Sequence, residues 1–291
     1  MQITEDPRAF LAAAAEHLAA DPVVHTVIAS VTARIAAVAQ RPAVDHPRWW
    51  AVARDATGAV AGVAMRTAPF APHPLYVLPM PDTAARMLAE AVRERGEALG
   101  GVNGALPAAR VAAETYAAGA GAEVSVHEHL RLFEVREVVV PPAPPGRLRP
   151  ATEGEAALVL AWFQDFGRAA AEQAGRSEPH AGSESFTLAD AVVRIREGVV
   201  WLWEDAAGRV VHLTAANPPA YGVARIGPVY TPVEHRGHGY ASAAVAAVSQ
   251  LHLRSGLRAC LFTDQANPTS NRVYEAIGYR PVVDMVTLVL R

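Results

Sequence analysis

Eight residues, HRGHGYAS at positions 235–242, gather two glycines, two histidines and one arginine between an apolar run at 226–233 and an alanine-rich stretch at 241–253. Gly237 and Gly239 carry no Cβ, so neighbouring amides can point the same way and a ligand can lie against the backbone. A helix opening at the alanines adds unpaired N-terminal N–H groups and the positive end of its dipole. Loop and helix end together form an anion site suited to phosphate or pyrophosphate, with Arg236 as a fork-shaped partner. His235 and His238 flank the glycines, either as protonated phosphate partners or as solvated loop residues. A tight strand-to-helix turn with a surface arginine is the plain alternative. Two other phosphate loops are excluded: a Walker A loop needs a lysine, and the chain has none. A dinucleotide fingerprint needs a third glycine where Ser242 stands.

The remaining reactive residues are few. Cys260 is the only cysteine, so neither an intramolecular disulfide nor a multi-cysteine metal site is possible, and we expect no metal. It stands inside the apolar run RACLFTD, which reads as a buried, inert thiol. Net charge is −3 over 291 residues with a pI near 6.4, so no basic field points to nucleic acid or an anionic membrane. All 26 basic residues are arginines, which we ascribe to genome composition. With 51% hydrophobic residues the chain can bury a large core. The N-terminal MQITEDPRAF is acidic where a signal peptide is basic, and no run of 18 residues is apolar enough to span a bilayer. The expectation is a soluble cytoplasmic protein, monomer or homodimer.

The elements that would position the loop follow from punctuation and periodicity. Residues 138–150, VVVPPAPPGRLRP, hold five prolines and read as a semi-rigid linker. It divides the chain into a domain at 1–137 and a second at 151–291. Thr152 and Glu155 have the form of a capping box ahead of an apolar-periodic helix. Residues 48–69 and 198–219 superimpose without a gap at an offset of 150: an apolar run, a D-A-x-G turn and a second apolar run, the pattern of a β-hairpin. Both halves continue with a strand, a helix, a strand and a helix opened near proline, Pro107 or Pro268. The fold class is therefore mixed α/β, built from two tandem units of one kind. Where the second half has its glycine loop, the first runs PDTAARMLAEAV with no glycine.

The R-x-x-G-x-A run from Arg236 to Ala241 resembles the acyl-CoA pyrophosphate loop of the GNAT (GCN5-related) N-acetyltransferases. The preceding IGPVYTP and the later LFTDQANPTSNRVYEAIGY resemble that family's fourth strand and its N-x-x-x-x-x-x-Y-x-x-x-G-[FY] element. The resemblance covers residues 149–291. The first half resembles a degenerate GNAT copy, as in tandem or FR47-like members. It implies that Val229, Tyr230 and Thr231 offer free backbone groups to a pantetheine arm. It places pyrophosphate on Arg236, Gly237, His238, Gly239, Tyr240 and Ala241, with Ser242 opening the helix. Asn267, with Ser270 beside it, would contact the pantetheine or hold the loop after the fifth strand. Tyr274 would reach the thioester sulfur, where a phenol is a suitable general acid for a departing thiolate; an ordinary core aromatic is the alternative. The implied cosubstrate is acetyl-CoA, the implied reaction direct N-acyl transfer in a ternary complex.

The family's usual base is absent, since the fourth strand ARIGPVYT carries no carboxylate. A lysine-like amine is only about 0.1% neutral near pH 7.4, a handicap of roughly 4 kcal/mol. Asp264 and His212 are candidate bases, with an Asx turn and a satisfied core histidine as their alternatives; Glu204 and Asp205 read as turn residues. The acceptor, a small-molecule amine or a peptide or protein amine, is expected to meet residues 172–190. A non-catalytic acyl-CoA sensor or interaction module competes with the enzyme reading.

Overall fold

The computed structural model describes residues 1–38, 43–176 and 186–291. It divides into two compact units, one of Met1–Leu132 with Val282–Arg291 and one of Phe133–Pro281. The contact boundary thus differs from the expected second domain at 151–291, because the last ten residues group with the first unit.

In the first unit, β1 (Gln2–Thr4), β2 (Trp49–Arg54), β3 (Val60–Arg66), β4 (Leu75–Val77) and β5 (Gly101–Ala105) lie side by side in that order. Helices α1 (Pro7–Ala20), α2 (Thr26–Ala37), α3 (Asp82–Glu94) and α4 (Ala108–Ala120) accompany them. Strand β6 follows at Val124–Val135. The final strand of the chain, Arg280–Leu290, pairs antiparallel with β5 from Met285↔Ala105 to Val289↔Gly101. Its alternate residues Val286, Leu288 and Leu290 enter the core formed by α3 and α4, which explains the grouping.

The second unit opens differently from expectation. Residues 147–150 of the proline-rich segment form β7 (Arg147–Pro150), antiparallel to β8 (Val200–Glu204). Pro150 is tolerated there because an edge strand has one unpaired side. Thr152 donates its N–H to Glu155 at 2.8 Å, the capping box read from sequence. It opens a single 3-10 turn leading into α5 (Ala156–Gln173). Helix α6 (Leu188–Arg196) follows.

Strand β8 and β9 (Val210–Ala216) form the expected hairpin, as β2 and β3 do in the first unit. The copies agree in detail. Gly58 and Gly208 donate to the carbonyls of Asp55 and Asp205 at 3.1 and 3.0 Å, and both glycines take positive φ, 88° and 79°. Both hairpins carry a bulge one turn earlier, at Ala53/Arg54 and Trp203/Glu204. Beyond β9 lie β10 (Val223–Tyr230), α7 (Tyr240–Arg254), β11 (Arg258–Asp264) and α8 (Pro268–Ala276), with the sheet ordered β11-β10-β9-β8-β7.

Alternation divides the side chains of this sheet between two cores. Val200, Leu202, Leu213 and Ala215 pack beneath α5 and α6, against Val159, Phe163, Ala191 and Ile195. Trp201, Ile226, Ala259 and Leu261 pack on the other face, against Val245 and Val248 of α7 and Tyr274 of α8.

Arg149 ties the edge together, donating to Glu155 at 2.7 and 2.9 Å and to Glu204 at 2.8 Å. Hydrogen bonding from Arg149 holds the Glu155 carboxyl far below its ordinary range, at about 2. A depressed carboxyl adds stability above its unfolded-state value and loses it as pH falls through the folded one. Glu155→Gln should therefore cost on the order of 1–2 kcal/mol at pH 7, after screening, with variant and wild type converging between about pH 5 and 2. Denaturant unfolding across that range measures it.

Candidate functional site

The site begins where β10 leaves its neighbour. Parallel pairing joins Val223–Ile226 to Arg258–Leu261 and goes no further, although β10 runs on to Tyr230 and β11 to Asp264. On its other side β10 stays paired with β9, at Ile226↔Ala216, Val229↔Thr214 and Tyr230↔Leu213. Three residues advance on β10 while two advance on β9, so Gly227 and Pro228 form a bulge. An extra residue bends a strand and ends its local ladder, and Pro228 has no N–H to give. The result is a notch between the ends of β10 and β11.

The register assigns each side chain to a face. Val229 stands opposite Thr214 and shares the α7 face with His212 and Trp203; Tyr230, opposite Leu213, lies on the α5 face. His212 is fully buried and holds two hydroxyls at 2.7 Å, Thr231 through Nδ1 and Thr214 through Nε2. Burial drives its pKa down to about 3, so the ring is neutral across the physiological range. It is a satisfied core histidine joining β9 to the start of the loop.

Thr231 is held a second time, because Arg236 Nε donates to its carbonyl at 3.0 Å. That contact closes the segment around a 3-10 turn, Val233–His235. The expected phosphate partner therefore already uses one donor inside the loop. His238 Nδ1 meets the His235 carbonyl at 3.2 Å, and the His238 ring stacks on Tyr240 at 5.7 Å.

Gly237 and Gly239 both sit in the left-handed region, at φ 81° and 82°. A Cβ at either would meet nothing within 4 Å. These glycines are required for backbone direction and leave open space above it. Helix α7 has no side-chain cap, and its first closed bond runs from Ala243 N–H to the Gly239 carbonyl at 3.1 Å. The N–H groups of the six residues 237–242 thus have no partner among the described residues. Six free amides beside a helix N-terminus offer donors to an anion.

Across the notch, β11 ends in a tied-down turn. Asp264 Oδ1 accepts from Ala266 N–H at 2.8 Å, and the carboxylate is ion-paired with Arg176. Buried Asn267 caps α8, accepting from Ser270 N–H at 3.0 Å while donating to Gln173 at 2.9 Å. Of the two roles raised for Asn267, the loop-holding one is visible. Tyr274 is buried beside Tyr279, ring centroids 6.0 Å apart. Its hydroxyl has no hydrogen-bond partner among the described residues and is not among the polar atoms sealed from solvent. Burial raises its pKa to about 12, which keeps the phenol protonated. Ser249 engages the Tyr279 hydroxyl at 2.8 Å, so Tyr274 is the free phenol of the pair. Cys260 is fully buried.

Sequence reading missed the His212 and Arg236 grip on Thr231, the Arg176–Asp264 pair and the Gln173–Asn267 bond. Each joins residues far apart in the chain or across a loop, and no local pattern marks them. Glu204 and Asp205 serve structure, the first accepting from Arg147 and Arg149, the second ordering the hairpin turn. Part of the expected acceptor segment, residues 177–185, lies outside the described residues. Among the described residues no cluster of three or more His, Cys, Asp or Glu could hold a metal, and no helix is long and apolar enough to cross a membrane.

The fold that carries this site is shared with known proteins. Residues 208–287, which contain the notch, the loop, Asn267 and Tyr274, match the family described as FR47-like protein. The chain resembles a GCN5-related N-acetyltransferase from Sphaerobacter thermophilus, at 15% identity and TM-score 0.57 over 91% of this chain and 90% of that one. A GNAT-family acetyltransferase from Colwellia psychrerythraea gives 11% identity and TM-score 0.55 over 96% of both chains. A tandem GNAT protein from the clavulanic acid biosynthesis pathway matches at 17% identity and TM-score 0.50 over 95% of both. No curated protein matches the sequence. The chain has the fold of these acetyltransferase structures, and its residues 208–287 match the FR47-like family.

Thr231→Val should cost about 1–3 kcal/mol at neutral pH, because it strands a buried imidazole nitrogen. Adding His212→Leu should recover part of that loss, and a double-mutant cycle by denaturant unfolding measures the coupling.

Proposed function

We propose that the protein is an acyl-CoA-dependent N-acyltransferase that uses acetyl-CoA and delivers the acetyl group to a primary amine. The observation that carries this reading is the row of six unpartnered amides at 237–242, set at the edge of the strand notch. Pyrophosphate fits these donors, and the open space above Gly237 and Gly239 leaves room for it. Val229, Tyr230 and Thr231 border the notch, where unpaired backbone can hold an extended pantetheine arm; Thr231 carries less of this role because its carbonyl is engaged by Arg236. Asn267 and Ser270 shape the opposite rim.

Bound there, acetyl-CoA supplies an activated thioester. Tyr274 suits the proton donor to the departing sulfur: its hydroxyl is free, protonated and on the face that carries α7. Cys260 is too deeply buried to form an acyl-enzyme, which favours direct attack by the amine.

Neither candidate base is available. His212 is neutral with both nitrogens bonded, and Asp264 is committed to Arg176 and to its own turn. Proton removal is thus left to water, or to an amine that is partly neutral on arrival. The acceptor is a small-molecule amine or a peptide or protein amine.

Calorimetric titration of acetyl-CoA and CoA tests the reading. Wild type should bind both, and Gly239→Glu, which places a carboxylate among the amides, should abolish binding while the fold persists. Wild type that binds neither refutes the proposal. Tyr274→Phe should lower kcat about a hundredfold or more with little change in KM for acetyl-CoA.

A further inference from the structure

The notch joins two faces of the second unit's sheet, and the free amides and Tyr274 occupy only one of them. An acceptor must then reach the thioester from the other, beneath α5. Two contacts fix how α5 crosses there. Trp162 meets Tyr230, at the end of β10, edge-on with centroids 5.8 Å apart. Gln173 accepts from Asn267, just past the end of β11. The two pins are eleven residues apart, roughly 16 Å of helix, so the stretch between them spans the notch.

Positions 162, 166, 169 and 173 form one stripe, spaced by four, three and four, with 165 beside it. On it Trp162, Phe166 and Ala169 are half-buried, Trp162 packing at the margin of the core beneath α5, and Tyr230, which meets Trp162, is half-buried as well. From 162 to 169 the stripe is apolar and mostly aromatic, where a polyol site would be lined with hydrogen-bonding groups. Asp165 adjoins it at the Trp162 end, paired with exposed Arg168. Burial and the nearby Asp165 charge both hold the Tyr230 phenol above its ordinary range.

Resting on the acyltransferase reading, we infer that Trp162, Phe166 and Tyr230 form an aromatic wall that selects an arylalkylamine, with Asp165 facing the ammonium. Ring packs on ring, and a cation over aromatic faces gains further where water is excluded. The amine of such a ligand is one or two carbons from its ring, which suits delivery through the notch from a wall at its edge.

The test uses the full-length protein saturated with CoA, so that it needs no turnover, and compares 2-phenylethylamine with hexylamine by calorimetry. Wild type should bind the aryl amine about tenfold more tightly or better. In Trp162→Ala and Phe166→Ala the ratio should fall below about threefold, with acetyl-CoA affinity unchanged within about twofold. Trp162→Leu, which keeps apolar bulk without the ring, should give the same loss if the alanine variant melts early. Equal affinity for the two amines in wild type, or a ratio that survives every substitution, overturns the inference. Failure to bind acetyl-CoA is a separate result: it removes the acyltransferase reading and the aromatic wall's purpose with it.

Discussion

Parallel pairing between β10 and β11 ends at Ile226 and Leu261, where one extra residue on β10 and a proline without an N–H interrupt the ladder. A strand inside a sheet normally has both edges satisfied, since unpaired backbone is costly away from water. Here the β11 side of β10 is released over its last residues while the β9 side remains bonded. Backbone donors and acceptors become available at a fixed place, and the two faces of the sheet communicate through it. The other features of the site are arranged around that release: the grip on Thr231 sets where the strand stops, and the cap at Asn267 sets the opposite rim.

The first unit shows what the same architecture does without the interruption. All three residues of β4 pair with β3 or β5, and β4 and β5 align from Leu75↔Val102 to Val77↔Gly104. Gly104 is pressed against the Val77 carbonyl so closely that a Cβ would stand 1.9 Å from it, which closes the seam. The helix that follows, α3, starts after Pro81 with Asp82 in its first turn. A carboxylate there favours the helix dipole but repels an anion that would use the same end. The hairpin turns of the two units share their backbone hydrogen bonds, while the seam and the helix opening differ. That is the distribution expected when a scaffold is retained and a ligand site is kept in one copy.

Local rules made much of this legible in the sequence. Glycine punctuation, the 150-residue offset and the Thr152–Glu155 spacing report contacts within four residues, and the hairpins, the cap and the loop conformation follow from them. The proline-rich segment pairs at its end because an edge strand tolerates proline, so residues 147–150 join β8. The closing strand's membership of the first unit depends on a partner, β5, some 180 residues away, and alternation alone does not name a partner. At the site the sequence marks the free amides and Tyr274 but not what occupies the other groups. Arg236 carries the charge a phosphate wants, and its engagement with Thr231 shows only in three dimensions.

The same occupancy bears on the proton that an attacking ammonium must lose. His212 would have been a natural base by residue type, yet serving as one would require breaking a 2.7 Å bond to Thr231 or Thr214 and charging a ring whose burial holds its pKa near 3. A base of that strength takes almost no protons at neutral pH, and its protonation would loosen the loop that positions the anion. Asp264 faces the converse conflict, since releasing Arg176 to accept a proton would free the turn that precedes the Asn267 cap. Both groups hold the notch in shape. In the reaction we propose, chemistry depends on alignment and on the free phenol of Tyr274, with the amine's own proton passing to solvent before attack.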